Sequence, residues 1–162
     1  WSQLLKIQNI KLCKINSEEK IQLSRNISIT PFLVPHRDEF SETVGYKIEG
    51  LKKTILFIPD IDKWEKWSKE LVKEIKKVDL ALLDGTFYDS KEINNRNISE
   101  VPHPFVTETI DLLGNEPKNE KSKIKFIHLN HTNPLLDSLS YESNILLKNG
   151  FGIAKFKEII SL

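Results

Sequence analysis

The spacing of apolar residues changes once along this chain, near residue 60, and that change limits the folds open to it. Before it, short β-prone runs at 10–15, 21–23, 27–34, 45–49 and 54–58 alternate with polar breaks, with Gly50 at a turn. After it, Trp64, Trp67, Leu71 and Ile75 recur at helical spacing. Asp62 suits the N-cap of that helix, and Lys76 and Lys77 suit the negative end of its dipole. Strand-like and helical segments then take turns. A short apolar strand is predicted at 79–83, a helix at 106–113 closed by Gly114, and a strand at 124–129. A helix at 140–148 stops at Asn149-Gly150, and closing strands follow at 151–156 and 159–162. Residues 85–104 and 115–123 read as polar loops. An antiparallel meander followed by strand–helix–strand alternation predicts an α/β sheet packed under helices.

The 162 residues suffice for one domain with a real core, 1–162. No apolar run approaches the ~20 residues of a membrane span, so no membrane partner is expected. Lys and Arg total 24 against 23 Asp and Glu, and a net charge of +1 lacks the basic excess that nucleic-acid binding requires. The one cysteine, Cys13, excludes a disulfide framework and points to a reducing, cytoplasmic compartment. Lying in a β-prone run, it reads as core rather than nucleophile. The sequence contains no Met and opens on Trp1 within what reads as structured sequence, so a piece of a longer chain is expected.

All four histidines and two aspartates share one kind of position. His36 follows the run at 27–34, Asp60 follows 54–58, and Asp84 follows 79–83. His128 and His131 lie at the end of 124–129, and His103 lies in the loop after Asp84. In open α/β sheets ligands bind beyond the carboxyl ends of strands, so these groups can converge on one cleft. Imidazole and carboxylate together suit Zn, Fe or Mn. Taken singly, each residue reads as a turn cap or a surface group, and only the shared placement argues for a site. Asp84-Gly85-Thr86 has the composition of a turn. The segment Asn130-His131-Thr132-Asn133-Pro134 reads as a binding loop, and the tryptophan stripe reads as core packing.

The segment Val34-Pro35-His36-Arg37-Asp38-Glu39-Phe40-Ser41-Glu42-Thr43-Val44-Gly45-Tyr46 resembles the third metal motif of the metallo-β-lactamase superfamily. It is most similar to the branch of pyrroloquinoline quinone (PQQ) biosynthesis protein B. Phe57-Ile58-Pro59-Asp60-Ile61-Asp62-Lys63-Trp64 resembles the fourth motif, a strand ending in a metal-bridging Asp. Leu82-Leu83-Asp84-Gly85-Thr86-Phe87 resembles the next strand of that branch, and Val101-Pro102-His103-Pro104-Phe105 its following His motif. Phe126-Ile127-His128-Leu129-Asn130-His131-Thr132-Asn133-Pro134 resembles the fifth motif and its tail.

The resemblance implies an αββα sandwich, of which residues 27–162 look like the second half. It implies one or two divalent metal ions, Zn or Fe, held by His36, Asp60 and His128, with Asp60 bridging. It places Asp84 and His103 behind the ligands or in proton transfer, and Asn130, His131 and Arg37 toward the substrate. The His-x-His-x-Asp-His of the first half is absent from these residues. This segment alone is therefore expected to be inactive, without a fully coordinated metal. It is also expected to show an apolar face that the missing half or another copy of the chain would cover. The activity implied is oxidation of a tyrosine-derived, peptide-derived intermediate in cofactor biosynthesis. A phosphodiesterase like the ribonuclease Z group and a metal-free scaffold are the alternatives.

Overall fold

Each apolar run from residue 21 to residue 58 pairs with the next in the computed structural model, which describes residues 1–93 and 101–162. Strands β1 (Ile21–Ser24), β2 (Ile27–Leu33), β3 (Val44–Glu49) and β4 (Thr54–Ile58) form an antiparallel meander. From β4 the pairing turns parallel, through β5 (Leu80–Asp84), β6 (Ile124–Ile127) and β7 (Gly152–Ile153). The result is a seven-stranded sheet in sequential order. Short helices lie between the parallel strands: α2 (Leu71–Ile75), α3 (Val106–Leu112), α4 (Lys118–Lys121) and α5 (Tyr141–Lys148). A further helix, α1 (Ser2–Lys6), buries none of its residues.

The pleat sends alternate side chains to opposite faces. One face carries Phe32, Leu56, Ile58, Ala81, Leu83, Ile124 and Phe126, and these share one buried cluster with Leu71, Ile75, Val106 and Leu146 from the helices. The other face carries the buried Ile55 and the half-buried Ile29, Ile48, Phe57, Leu82 and Ile127. Part of it is crossed by the C-terminal tail, where Glu158 pairs with Lys125 and Leu162 packs on Gly50.

Several elements differ from expectation. The run at 10–15 forms no strand, and Cys13 is exposed rather than core. The sheet ends at β1, and this run does not add to its outer edge. The single helix predicted around Trp64 to Ile75 is broken in two, a 3-10 turn at Trp64–Lys66 and α2. Both indole N–H groups explain the break. Trp64 Nε1 donates to Thr109 Oγ1 at 2.9 Å and Trp67 Nε1 to the Leu33 carbonyl at 3.1 Å, with Trp67 in extended backbone. The four apolar residues are buried as the stripe implied, but tertiary partners fix the backbone between them. Asp62 does not cap this segment and accepts instead from the adjacent Lys63 N–H. Of the closing strands only Gly152–Ile153 pairs, and residues 159–162 form none, leaving Phe156 and Ile159 exposed. The loop at 115–123 contains α4. Part of the polar loop at 85–104, residues 94–100, lies outside the described residues.

Both ends of α5 match the sequence: Ser140 Oγ accepts from Ser143 N at its start, and Gly150 takes φ 94° after its last turn. Among the described residues no helix is long and apolar enough to cross a membrane. Thr109 is fully buried and supplies the acceptor for Trp64. Thr109→Val keeps the shape but strands that N–H, so it should lower unfolding free energy by about 1–3 kcal/mol, read from the urea midpoint at unchanged m.

Candidate metal centre

Strand direction brings the candidate residues together. Strands β4, β5 and β6 are parallel, and two antiparallel steps from β4 make β2 run the same way. Their carboxyl ends therefore share one edge, and there stand His36, Asp60, Asp84 and His128. The His36 loop is tied to the Asp60 loop by Asp62 N–H donating to the Pro35 carbonyl at 2.7 Å. His103 enters from the segment before α3, which is docked on the β5 loop. There Val106 N and Thr107 N donate to the carbonyls of Phe87 and Tyr88.

Asp84 is completely buried. Its Oδ1 accepts from Thr86 N at 2.8 Å and from Thr86 Oγ1 at 2.6 Å. Its Oδ2 accepts from Ile61 N at 3.2 Å and lies 2.9 Å from His103 Nδ1. Four partners fill the roughly four acceptor positions of a carboxylate. Asp60 is placed differently. Its Oδ1 lies 3.3 Å from His36 Nε2 and 3.3 Å from His103 Nδ1, yet neither contact has hydrogen-bond alignment. Among the described residues Asp60 Oδ1 and His36 Nδ1 are buried side-chain atoms without a hydrogen-bond partner.

One ligand atom from each of Asp60, Asp84, His103 and His128 lies within 4.8 Å of the others. His36 joins this group through Asp60 and through His103, whose ring centroid is 5.3 Å from its own. Two imidazoles and an unsatisfied carboxylate oxygen lie close together, with the His36 imidazole beside that oxygen, and this is a donor set of zinc or iron. A buried, unpartnered polar atom costs about 1–3 kcal/mol, a cost that coordination to a cation would remove.

His128 follows β6 in the left-handed region, φ 61°. That conformation costs an L-residue roughly 1–2 kcal/mol, and such residues cluster at functional sites. At Asp62, burial pushes the carboxyl up, but the Lys66 ammonium and the Lys63 N–H outweigh it and hold it below the usual range.

A cleft of about 590 Å³ opens over the cluster, lined by His36, Arg37, Thr86, Phe87, Pro102 and His103. Arg37 thus reaches the same cleft as the histidines. Asn130 and His131 do not join the cluster. They hydrogen-bond to each other, and Asn130 continues through Thr132 to Glu92. A separate concavity over Trp64, Trp67 and Leu71 lies apart from these groups.

Two residues of the site were not legible in advance. Thr86 sits between Asp84 and His128, with Oγ1 3.0 Å from His128 Nδ1. The sequence treats it as the end of a turn, and the only signal is the Asp-Gly-Thr triplet itself. Gly85 is required there because a Cβ would come within 2.9 Å of Phe126 Cβ. Asn133 is the second, buried and clamping the β6 loop to the carbonyls of Gly85 and Thr86.

A model of the beta-lactamase superfamily domain matches residues 2–128. The Coenzyme PQQ synthesis protein B of Nitrosococcus oceani is 28% identical over 139 residues, covering 78% of this chain and 43% of that protein. The crystal structure of Zn(2+)-bound PqqB from Methylobacterium extorquens shares the fold, with TM-score 0.72 at 24% identity, covering 91% of this chain and 55% of that one. This chain thus spans about half the length of these relatives.

Whichever way the Asp84→Asn amide is turned, its NH2 faces a backbone N–H, that of Thr86 or that of Ile61. The variant should lose about 1–3 kcal/mol of stability, measured by chemical denaturation. At His128, the φ of 61° makes a β-branched side chain more costly than none. His128→Val should be less stable than His128→Gly by about 1–2 kcal/mol in the same assay.

Proposed function

The chain belongs to the beta-lactamase superfamily, and from that premise we propose that it carries the metal-binding edge of an enzyme similar to PQQ synthesis protein B. The activity assigned is oxidation of a tyrosine-derived, peptide-derived intermediate during cofactor assembly, with dioxygen as oxidant. The observation that carries the metal reading is the buried, unpartnered Asp60 Oδ1 among converging imidazoles.

His36, Asp60 and His128 would hold one or two divalent ions, Zn or Fe, with Asp60 placed between imidazoles to serve both. Such an ion supplies Lewis-acid polarisation and an acidified bound water, or oxygen chemistry when it is iron. These residues provide fewer ligands than two closed sites need, so the remaining ligands would come from a further part of the protein.

Asp84, sealed from solvent, cannot touch substrate and acts through its neighbours. It fixes the His103 ring by accepting from Nδ1, which leaves Nε2 to take up or give back a proton in the cleft. Arg37 at the cleft lining would draw an anionic group of the substrate, and Phe87, edge-on to His103 with centroids 5.9 Å apart, would exclude water beside it. Asn130 and His131 would hold the outer part of the substrate from the loop beyond His128.

Metal analysis of the purified full-length protein, with assays of oxygen consumption and phosphodiester hydrolysis, tests this reading. Bound metal with oxygen consumption is expected. Asp60→Ala and His36→Ala should remove most of the metal, whereas Asp84→Asn should lower turnover more than metal content. Zinc with phosphodiester turnover would make the protein a hydrolase of the same fold, and a metal-free protein would make it a scaffold.

A further inference from the structure

The Thr86 hydroxyl stands between a carboxylate and an imidazole, and its two contacts differ in length. Oγ1 is 2.6 Å from Asp84 Oδ1 and 3.0 Å from His128 Nδ1. The shorter distance is that of an O–H···O⁻ bond, and the longer is that of an ordinary N–H···O bond. As a carboxylate Asp84 can only accept, so the one hydroxyl proton goes to Oδ1. The hydroxyl oxygen is then left to accept, and the proton in the second contact belongs to His128 Nδ1. Asp84 cannot do this directly, because its Oδ1 is 4.0 Å from that nitrogen.

We propose that Thr86 is a positioning residue that sets the tautomer of His128, holding the proton on Nδ1 and leaving the Nε2 lone pair for a divalent cation. Asp84 acts on His103 Nδ1 directly and on His128 Nδ1 through Thr86, so one buried carboxylate orders two imidazoles.

The backbone around Thr86 is rigid enough for the task. Gly85 N donates to the Ile127 carbonyl at 2.9 Å, and Asn130 N donates to the Thr86 carbonyl at 3.0 Å. Asn133 Nδ2 reaches the Gly85 carbonyl at 2.7 Å. These bonds hold the β5 and β6 loops in register on both sides of the Thr86–His128 contact. The left-handed backbone at His128 is the conformation in which this contact is made.

The tautomer assignment stands on hydrogen-bond geometry alone, and only its consequence for a cation rests on the proposed metal centre. The test uses the metal-free full-length protein labelled with 15N-histidine, read by two-bond proton–nitrogen spectra, followed by zinc titration. Wild type is expected to show His128 protonated at Nδ1. Thr86→Ser should keep that tautomer and a zinc affinity close to wild type. Thr86→Val should shift His128 toward Nε2–H and weaken zinc binding about ten- to hundredfold. Wild-type His128 protonated at Nε2, a tautomer unchanged in Thr86→Val, or a loss in Thr86→Ser equal to that in Thr86→Val would each overturn the proposal. Should Thr86→Val not fold, the wild-type and Thr86→Ser spectra decide. Wild type that binds no zinc yet shows Nδ1–H would overturn the metal centre and leave the role of Thr86 intact.

Discussion

A carboxylate with no exposure, at the last residue of a central strand, ties this structure together. Asp84 receives the backbone of the β4 loop at Ile61, the backbone and hydroxyl of its own loop at Thr86, and the imidazole of His103. Burying a charge is costly unless donors surround it, and here they come from three separate segments of the chain. The hub therefore works in two directions. It fixes the loops that carry Asp60 and His128, and it uses their donors to satisfy itself. Asp60, two residues past β4, meets no such set of donors, and its unsatisfied oxygen faces the histidines.

The two faces of the sheet are in different states. One is sealed by helices and the two tryptophans, each with its indole N–H bonded to the fold. The other presents half-buried Ile29, Ile48, Phe57 and Leu82 with a single tail across part of it. The site lies at the edge between these faces. The cluster joins two imidazoles and two carboxylates, with His36 beside Asp60, in a chain that spans about half the length of its relatives.

Much of this was legible in the residues. The meander and the parallel alternation follow from the change of apolar period, and β2 to β6 fall within a residue or two of the expected runs. His36, Asp60, Asp84, His103 and His128 were found because each follows an apolar strand or opens the next helical segment, and sheet direction turns that shared position into proximity. The failures have one cause. Residues 10–15 and 159–162 are β-prone, but a strand needs a partner edge, and local composition does not say where the sheet ends. The break between Trp64 and α2 depends on Thr109 and Leu33, which are remote in sequence.

The sequence by itself determined the apolar stripe from Trp64 to Ile75 and which polar groups stand at strand ends, because period and turn chemistry are local properties. Tertiary structure alone decided which groups are satisfied and which are not. Asp60 and Asp84 both stand at the carboxyl ends of neighbouring strands and look alike in the sequence. They differ because hydrogen bonds to Asp84 come from Thr86, Ile61 and His103, whose approach is set by parallel β4–β5–β6 packing and the close passage at Gly85. Donor alignment is a property of three-dimensional distance and angle, and one carboxylate becomes a structural hub while the other stays open to a ligand.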